Sequence, residues 1–430
     1  MANSKRLSAT VAYQLMGLVF ACPSLLAMEW ILPGFASSNV IFPASLAAIH
    51  ALILGFMLTV AFGVLYQIVP IAFTAPQMPY HVLYWHLPAH SVSVALMIYG
   101  FAVVNTELIV TGGGLLIVGT ISFLYILYSS FCKAKNKTYV HRGLYFPAIA
   151  LIIAFFIGFW QAYSPGTVST SLLLTHVIIG GLAFWGGLVF VISYRLIPMF
   201  SLSYGYHVIF SVTKWLYFVG LVVIIISEWV LHTLPEVAWF GRILQGIGCV
   251  CYGSGVISFA VDVVKILKFR AKKTLVDPMK EALFAVAFTV IGQLLLIFAL
   301  LFSNLKFGVV AAYLFTFGGL VPLILAFMQK IIPFLWLQYL LSISAINRAA
   351  LNVDEILPRR LSQFSIILYF IGAAIGLLPL LIVRVKRVFE VNLAAHLVPG
   401  SLMAISIMIL FYSFCSITNM VRTSNASNVN

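Results

Sequence analysis

Acidic residues are scarce in this chain. Its 430 residues carry ten Asp and Glu against 24 Lys and Arg, and charged residues of every kind make up 8%. Soluble domains hold about a quarter charged residues, so a soluble enzyme, a disordered acidic segment and a nucleic-acid binder are excluded. Pumps and many proton-coupled carriers place carboxylates along their path. Here Asp262 alone falls inside an apolar run, close to Lys265, while Glu29, Glu107, Glu228 and Glu236 fall at predicted outer helix ends. No carboxylate relay is legible. Cysteine is sparse too: Cys22, Cys132, Cys249, Cys251 and Cys415 form an odd set without CxxC spacing, which excludes a disulfide framework or a ribbon-type zinc site.

Hydrophobicity is abundant, at 63% of residues with a mean hydropathy of +1.11. Runs of about 20 apolar residues read as membrane-spanning helices. Twelve are predicted, over 10–32, 41–70, 88–108, 110–131, 146–163, 171–198, 207–230, 239–266, 281–303, 307–334, 362–383 and 395–415. The first follows Lys5 and Arg6 and passes Cys22 in the manner of a signal sequence, but it continues to Leu32 and reads as a span. The connectors are short, so the chain reads as a single all-α membrane domain over residues 1–430.

Lys and Arg set the orientation. With the N-terminus inside, nineteen lie on the cytoplasmic side, and Arg242, Lys306, Arg384, Lys386 and Arg387 lie outside. The expectation is a multi-pass protein of the cell inner (cytoplasmic) membrane with both termini cytoplasmic. Its first partner is the lipid bilayer.

Internal repetition is the strongest pattern. Three long segments end in related phrases: Tyr66-Gln-Ile-Val-Pro70, Tyr194-Arg-Leu-Ile-Pro198 and Gln329-Lys-Ile-Ile-Pro333. They close the second, sixth and tenth predicted helices, which gives three repeats of four helices over about 1–132, 133–270 and 271–430. The predicted fold is an all-α integral membrane protein of twelve helices in three pseudo-threefold-related units.

That pattern, with His50-Ala-Leu-Ile-Leu-Gly55, Gly63-Val-Leu-Tyr-Gln-Ile-Val-Pro70, Ser193-Tyr-Arg-Leu-Ile-Pro-Met-Phe200 and Lys330-Ile-Ile-Pro-Phe-Leu-Trp336, resembles the catalytic-subunit (subunit I) superfamily of haem-copper oxidases and nitric oxide reductases. The likeness is greatest to its non-oxidase NnrS-like branch. It runs the length of the chain in helix order, with specific motifs only on helices two, six and ten. In that family helix two carries the axial His of the low-spin haem, helix six a copper-ligating His, and helix ten the remaining haem ligands. The resemblance therefore implies haem b or copper as cofactor, with His50 in the helix-two position and His176 in the helix-six position. Helix ten departs from the family: it has no His and presents Tyr313 twenty residues before its Pro. His207 falls at the cytoplasmic end, so a three-histidine oxygen-reducing site cannot be assembled.

Histidines at membrane depth are functional candidates by default. For His50 the alternative is a hydrogen bond in a polar outer vestibule; Gly55 nearby would admit a flat macrocycle or a neighbouring helix. For His176, the pairs Gly180/Gly181 and Gly186/Gly187 are explained at least as well by helix packing. His86 and His90, four apart, could chelate a metal, but Pro79 and Pro88 flank or interrupt them, and interfacial residues beside Tyr84 and Trp85 are the simpler reading. His141, His207, His232 and His396 lie near helix ends. Gln67, Gln161, Gln245 and Gln293 would line a polar cavity or, more commonly, bond between helices.

The function expected from the resemblance is gas binding or sensing, electron transfer, or haem and copper handling with a membrane redox or assembly partner, without oxygen reduction. Two alternatives belong to other classes: a transporter of a small solute or metal, weakened by the lack of matching mid-membrane helix breaks, and a cofactor-free assembly partner.

Overall fold

The computed structural model describes residues 2–28, 30–32, 42–271, 273–343, 356–382 and 394–427. The basic patch Arg384/Lys386/Arg387 and most of the connector between the tenth and eleventh helices lie outside them. Among the described residues there is no strand, and the one isolated bridge joins Ser203 to Arg270. Twelve long helices lie among the described residues: α1 (Ala2–Leu26), α2 (Pro43–Phe73), α3 (Tyr80–Ala102), α4 (Thr106–Cys132), α5 (Tyr145–Tyr163), α6 (Thr170–Ser201), α7 (Phe210–Thr233), α8 (Ala238–Lys268), α9 (Asp277–Leu301), α10 (Leu305–Tyr313, continued by Leu314–Leu320 and Val321–Ile343), α11 (Arg359–Leu381) and α12 (Ala394–Ser427). Eleven are long and apolar enough to cross a bilayer. The exception is α3, whose interior carries His81, His86, His90, Ser91 and Ser93.

Each overlaps a predicted segment with shifted ends, and eleven of the predicted spans are found as helices apolar enough to cross. α3 starts earlier than predicted, at Tyr80, and runs through Pro88. Its far end is set by Val104 in the left-handed conformation (φ 56°), and Asn105 then caps α4 by accepting from Leu108 N–H. The connector from α9 to α10 repeats this device, with Ser303 at φ 48° and Asn304 accepting from Phe307 N–H. Such caps satisfy a first-turn donor that has no intrahelical partner.

Helices α2, α6 and α10 are the three most buried of the eleven and share a construction. Each contains a π-helical segment: Ala51–Leu58, Ile178–Gly186 and Leu314–Leu320. A π-turn widens the helix and misaligns its carbonyls, and these need donors from elsewhere. At the residue sixteen positions before the Pro of each phrase, the following helix supplies one. His90 on α3 donates Nε2–H to the Leu54 carbonyl (3.2 Å); Tyr217 on α7 donates to Leu182 (2.9 Å); Tyr369 on α11 donates to Phe317 (3.0 Å). The matching irregularities that the sequence does not reveal are therefore present, as π-segments.

The proline phrases do not close their helices as predicted. α2 and α6 each continue three residues past the Pro and end on left-handed Thr74 (φ 51°) and Leu202 (φ 53°), whose N–H groups bond back to the Pro70 and Pro198 carbonyls. In α10 Pro333 lies well inside the helix. Proline removes one N–H and crowds the preceding turn, but an apolar environment gives the backbone no better partner than continued helix.

Candidate functional site

His50 ends the first α-helical stretch of α2, immediately before the π-segment. Its Nδ1 lies 2.7 Å from the Leu46 carbonyl, and its ring stacks on Phe101 of α3 at 4.9 Å and 26°. His176 stands two residues before the π-segment of α6. Its Nδ1 lies 3.0 Å from the Ala154 carbonyl on α5. The ring rests against Gly158, where an added Cβ would come within 2.8 Å of Cε1.

A carbonyl oxygen only accepts, so each Nδ1 carries the ring proton and each Nε2 presents a lone pair. A backbone acceptor on one ring nitrogen is also the arrangement that orients metal-bound imidazoles. Beside His176, a Cβ on Gly181 would meet nothing within 4 Å, which leaves space on that side of α6. The donor set thus fits a copper ion or an iron, both of which accept neutral imidazole. It is a two-residue set: among the described residues no group of three or more His, Cys, Asp or Glu side chains converges as a metal-binding cluster.

Tyr313 occupies the position on α10 that His50 holds on α2, again immediately before the π-segment. Its hydroxyl donates to the Ala373 carbonyl of α11 at 2.8 Å, so its proton is engaged across the α10–α11 contact. Gly55 does not open a slot for a macrocycle: Phe20 of α1 packs directly on it. Gly187 likewise receives Phe218 of α7, as the packing reading of those glycines expects.

His86 and His90 are not interfacial. They are 8% and 3% exposed, because α3 continues through Pro88 and turns this face inward. Their rings stack at 5.9 Å and 26°, against Phe62, Tyr66 and Phe123. His90 spends its Nε2 on the Leu54 carbonyl and the Thr59 hydroxyl (3.0 Å). His86 Nδ1 and the Tyr13 hydroxyl satisfy one another at 2.7 Å, while its Nε2 is buried without a partner. Tyr13 was not legible as a site residue, since nothing in the sequence aligns α1 with α3.

The remaining buried polar residues include two of the candidate glutamines. Gln293 accepts from Tyr252 (2.7 Å) and lies 2.9 Å from the oxygen of Tyr217, whose one proton goes to Leu182, and Gln245 donates to Glu228 (2.8 Å). Both bond between helices. Asp262, fully buried, accepts from Tyr194 at 2.8 Å and faces Lys265 at 3.4 Å. All five cysteines are free. No protein-family model matches the chain, and no curated protein matches it.

Proposed function

We propose that this chain is a haem-copper-oxidase-like membrane protein, of the NnrS-like kind, that holds a copper ion or a haem iron through His50 and His176. The observation that carries the reading is the pair of Nε2 lone pairs on two of the three most buried helices, each imidazole oriented by a backbone carbonyl. The resemblance supplies the functional class: binding or sensing of a diatomic gas, electron transfer, or handling of haem or copper with a membrane partner. Oxygen reduction does not fit, because α10 offers no His and the Tyr313 hydroxyl is turned to α11.

In this reading the twelve helices form three four-helix units around α2, α6 and α10. The shared π-segments, capped carbonyls and proline phrases support it. The charge division supports an inner-membrane protein with cytoplasmic termini and the His50 end of α2 toward the outer face. A transporter would use matched helix irregularities as well, but here the carbonyl sixteen residues before each Pro is capped by a side chain and closed to a solute.

The test is an absorption spectrum of the purified chain, oxidised and reduced, with metal analysis of the same sample. A Soret band, or copper near one per chain, is the expected result. Absence of both after expression with haem precursor and copper supplied removes the reading in favour of a cofactor-free assembly partner.

A further inference from the structure

Helices α2–α4 and α6–α8 are built on the same contacts, so each position in one set has a counterpart in the other. On α2 and α6 counterparts stand 128 residues apart, as Pro70 and Pro198 do; on α3 and α7 they stand 127 apart, as His90 and Tyr217 do. On α4 and α8 the spacing is 136, fixed by two glycines. A Cβ on Gly112 would meet Met97 N and the Ser93 carbonyl, and one on Gly248 would meet Ile224 N and the Gly220 carbonyl. The same spacing pairs Phe123 with Phe259. Phe123 packs on Phe62 and Tyr66 at 4.1 and 4.9 Å, and Phe259 on their counterparts Phe190 and Tyr194 at 5.4 and 5.8 Å.

Against this common frame, the first set is open where the second is closed. Tyr194 donates to Asp262; the counterpart of Asp262 is Ile126, and the Tyr66 hydroxyl is buried with no partner. Thr213 bonds Ser258 at 2.8 Å; its counterpart is His86, whose Nε2 faces the Gly119 backbone without reaching hydrogen-bond geometry. A Cβ on Gly255 would strike Tyr217 N at 2.6 Å, whereas at the counterpart Gly119 the nearest atom is His86 Nε2 at 3.9 Å. Helix α4 stands off from α3 at that level. Beside Gly119, Thr120 replaces Val256 and adds a third buried hydroxyl or ring nitrogen without a partner.

Buried polar atoms nearly always find a partner, and where protein supplies none, ordered water does. We propose that α2–α4 enclose a binding pocket for water, or for a neutral hydrogen-bonding molecule of water's size, between Tyr66, His86, Gly119 and Thr120. Three polar groups are within the two to four that hold a buried water, and no carboxylate, Lys or Arg is among them, so the occupant is neutral. The α6–α8 counterpart is closed by Asp262, Val256 and the tighter α7–α8 contact. This pocket is independent of any cofactor at His50 and His176.

Radiolytic hydroxyl-radical footprinting of the full chain in lipid nanodiscs, read by mass spectrometry, tests it, because bound water is the radical source. Tyr66 and Tyr194 are both nearly sealed, at 3% and 2% exposure, so Tyr194 is the internal reference. The expected result is several-fold faster labelling of Tyr66. Ile126→Asp, which gives Tyr66 the carboxylate its counterpart has, and Gly119→Val, which fills the gap, each lower that rate to the reference while Tyr194 is unchanged. Equal labelling of the two tyrosines in the parent chain overturns the proposal. So does fast Tyr66 labelling that persists in whichever variant keeps the parent's Tyr194 rate.

Discussion

Nε2 of His90 lies 3.2 Å from the Leu54 carbonyl, sixteen residues before Pro70, at the place where tyrosine hydroxyls meet Leu182 and Phe317 on the other two central helices. Three π-segments thus carry the same exposed acceptor, answered by one His and two Tyr. The device is a structural joint first, and only in α2–α4 does it bring an imidazole into the interior.

Removing one such donor leaves a buried carbonyl unsatisfied, at a cost of about 1–3 kcal/mol. Tyr217→Phe and Tyr369→Phe are expected to lower thermal stability in detergent measurably, with Tyr125→Phe, at an exposed position, as the neutral control. Melting temperatures indistinguishable from the parent for both variants would show that the π-segment carbonyls need no cap.

His50→Ala is expected to abolish bound haem or copper, while His232→Ala, whose ring bonds the Glu228 carbonyl near the end of α7, leaves it intact. Metal analysis and the absorption spectrum decide. Equal cofactor content in the two variants returns His50 to a hydrogen-bonded residue of no special role.

Gly158→Ala should act on the same site from a distance, since its methyl would meet His176 Cε1 at 2.8 Å and turn the ring. Cofactor occupancy is predicted to fall, while Gly166→Ala, with nothing within 4 Å, changes nothing. Full occupancy in Gly158→Ala would mean that His176 is not a ligand.

Single cysteines introduced in a cysteine-free background should report topology by their access to an impermeant thiol reagent in intact cells. Replacements at Lys135 and Lys273 are expected to be protected, and those at Asn105 and Ser303 labelled. Labelling at Lys135 or Lys273 would reverse the charge-based orientation.

Hydropathy by itself determined most of the element list: eleven of the twelve predicted runs became helices long and apolar enough to cross a bilayer, because each run is long enough to satisfy its own backbone. Repetition also placed His50 and His176 near one level, twenty and twenty-two residues before the prolines of their phrases, since a proline phrase measures position along a helix. The acceptor that sets the His176 tautomer was decided by tertiary structure, for Leu46 lies on the same helix as His50 but Ala154 and Gly158 come from a different helix than His176. His86 and His90 show the limit most directly. Local signals, two prolines and an aromatic cluster, pointed to an interface, yet packing of α3 against α1, α2 and α4 carried the helix through Pro88 and buried both rings. The π-segments were likewise invisible, because no residue type marks them. They lie in the three most buried helices, where a donor from the next helix stands ready to satisfy the carbonyl that a π-turn releases.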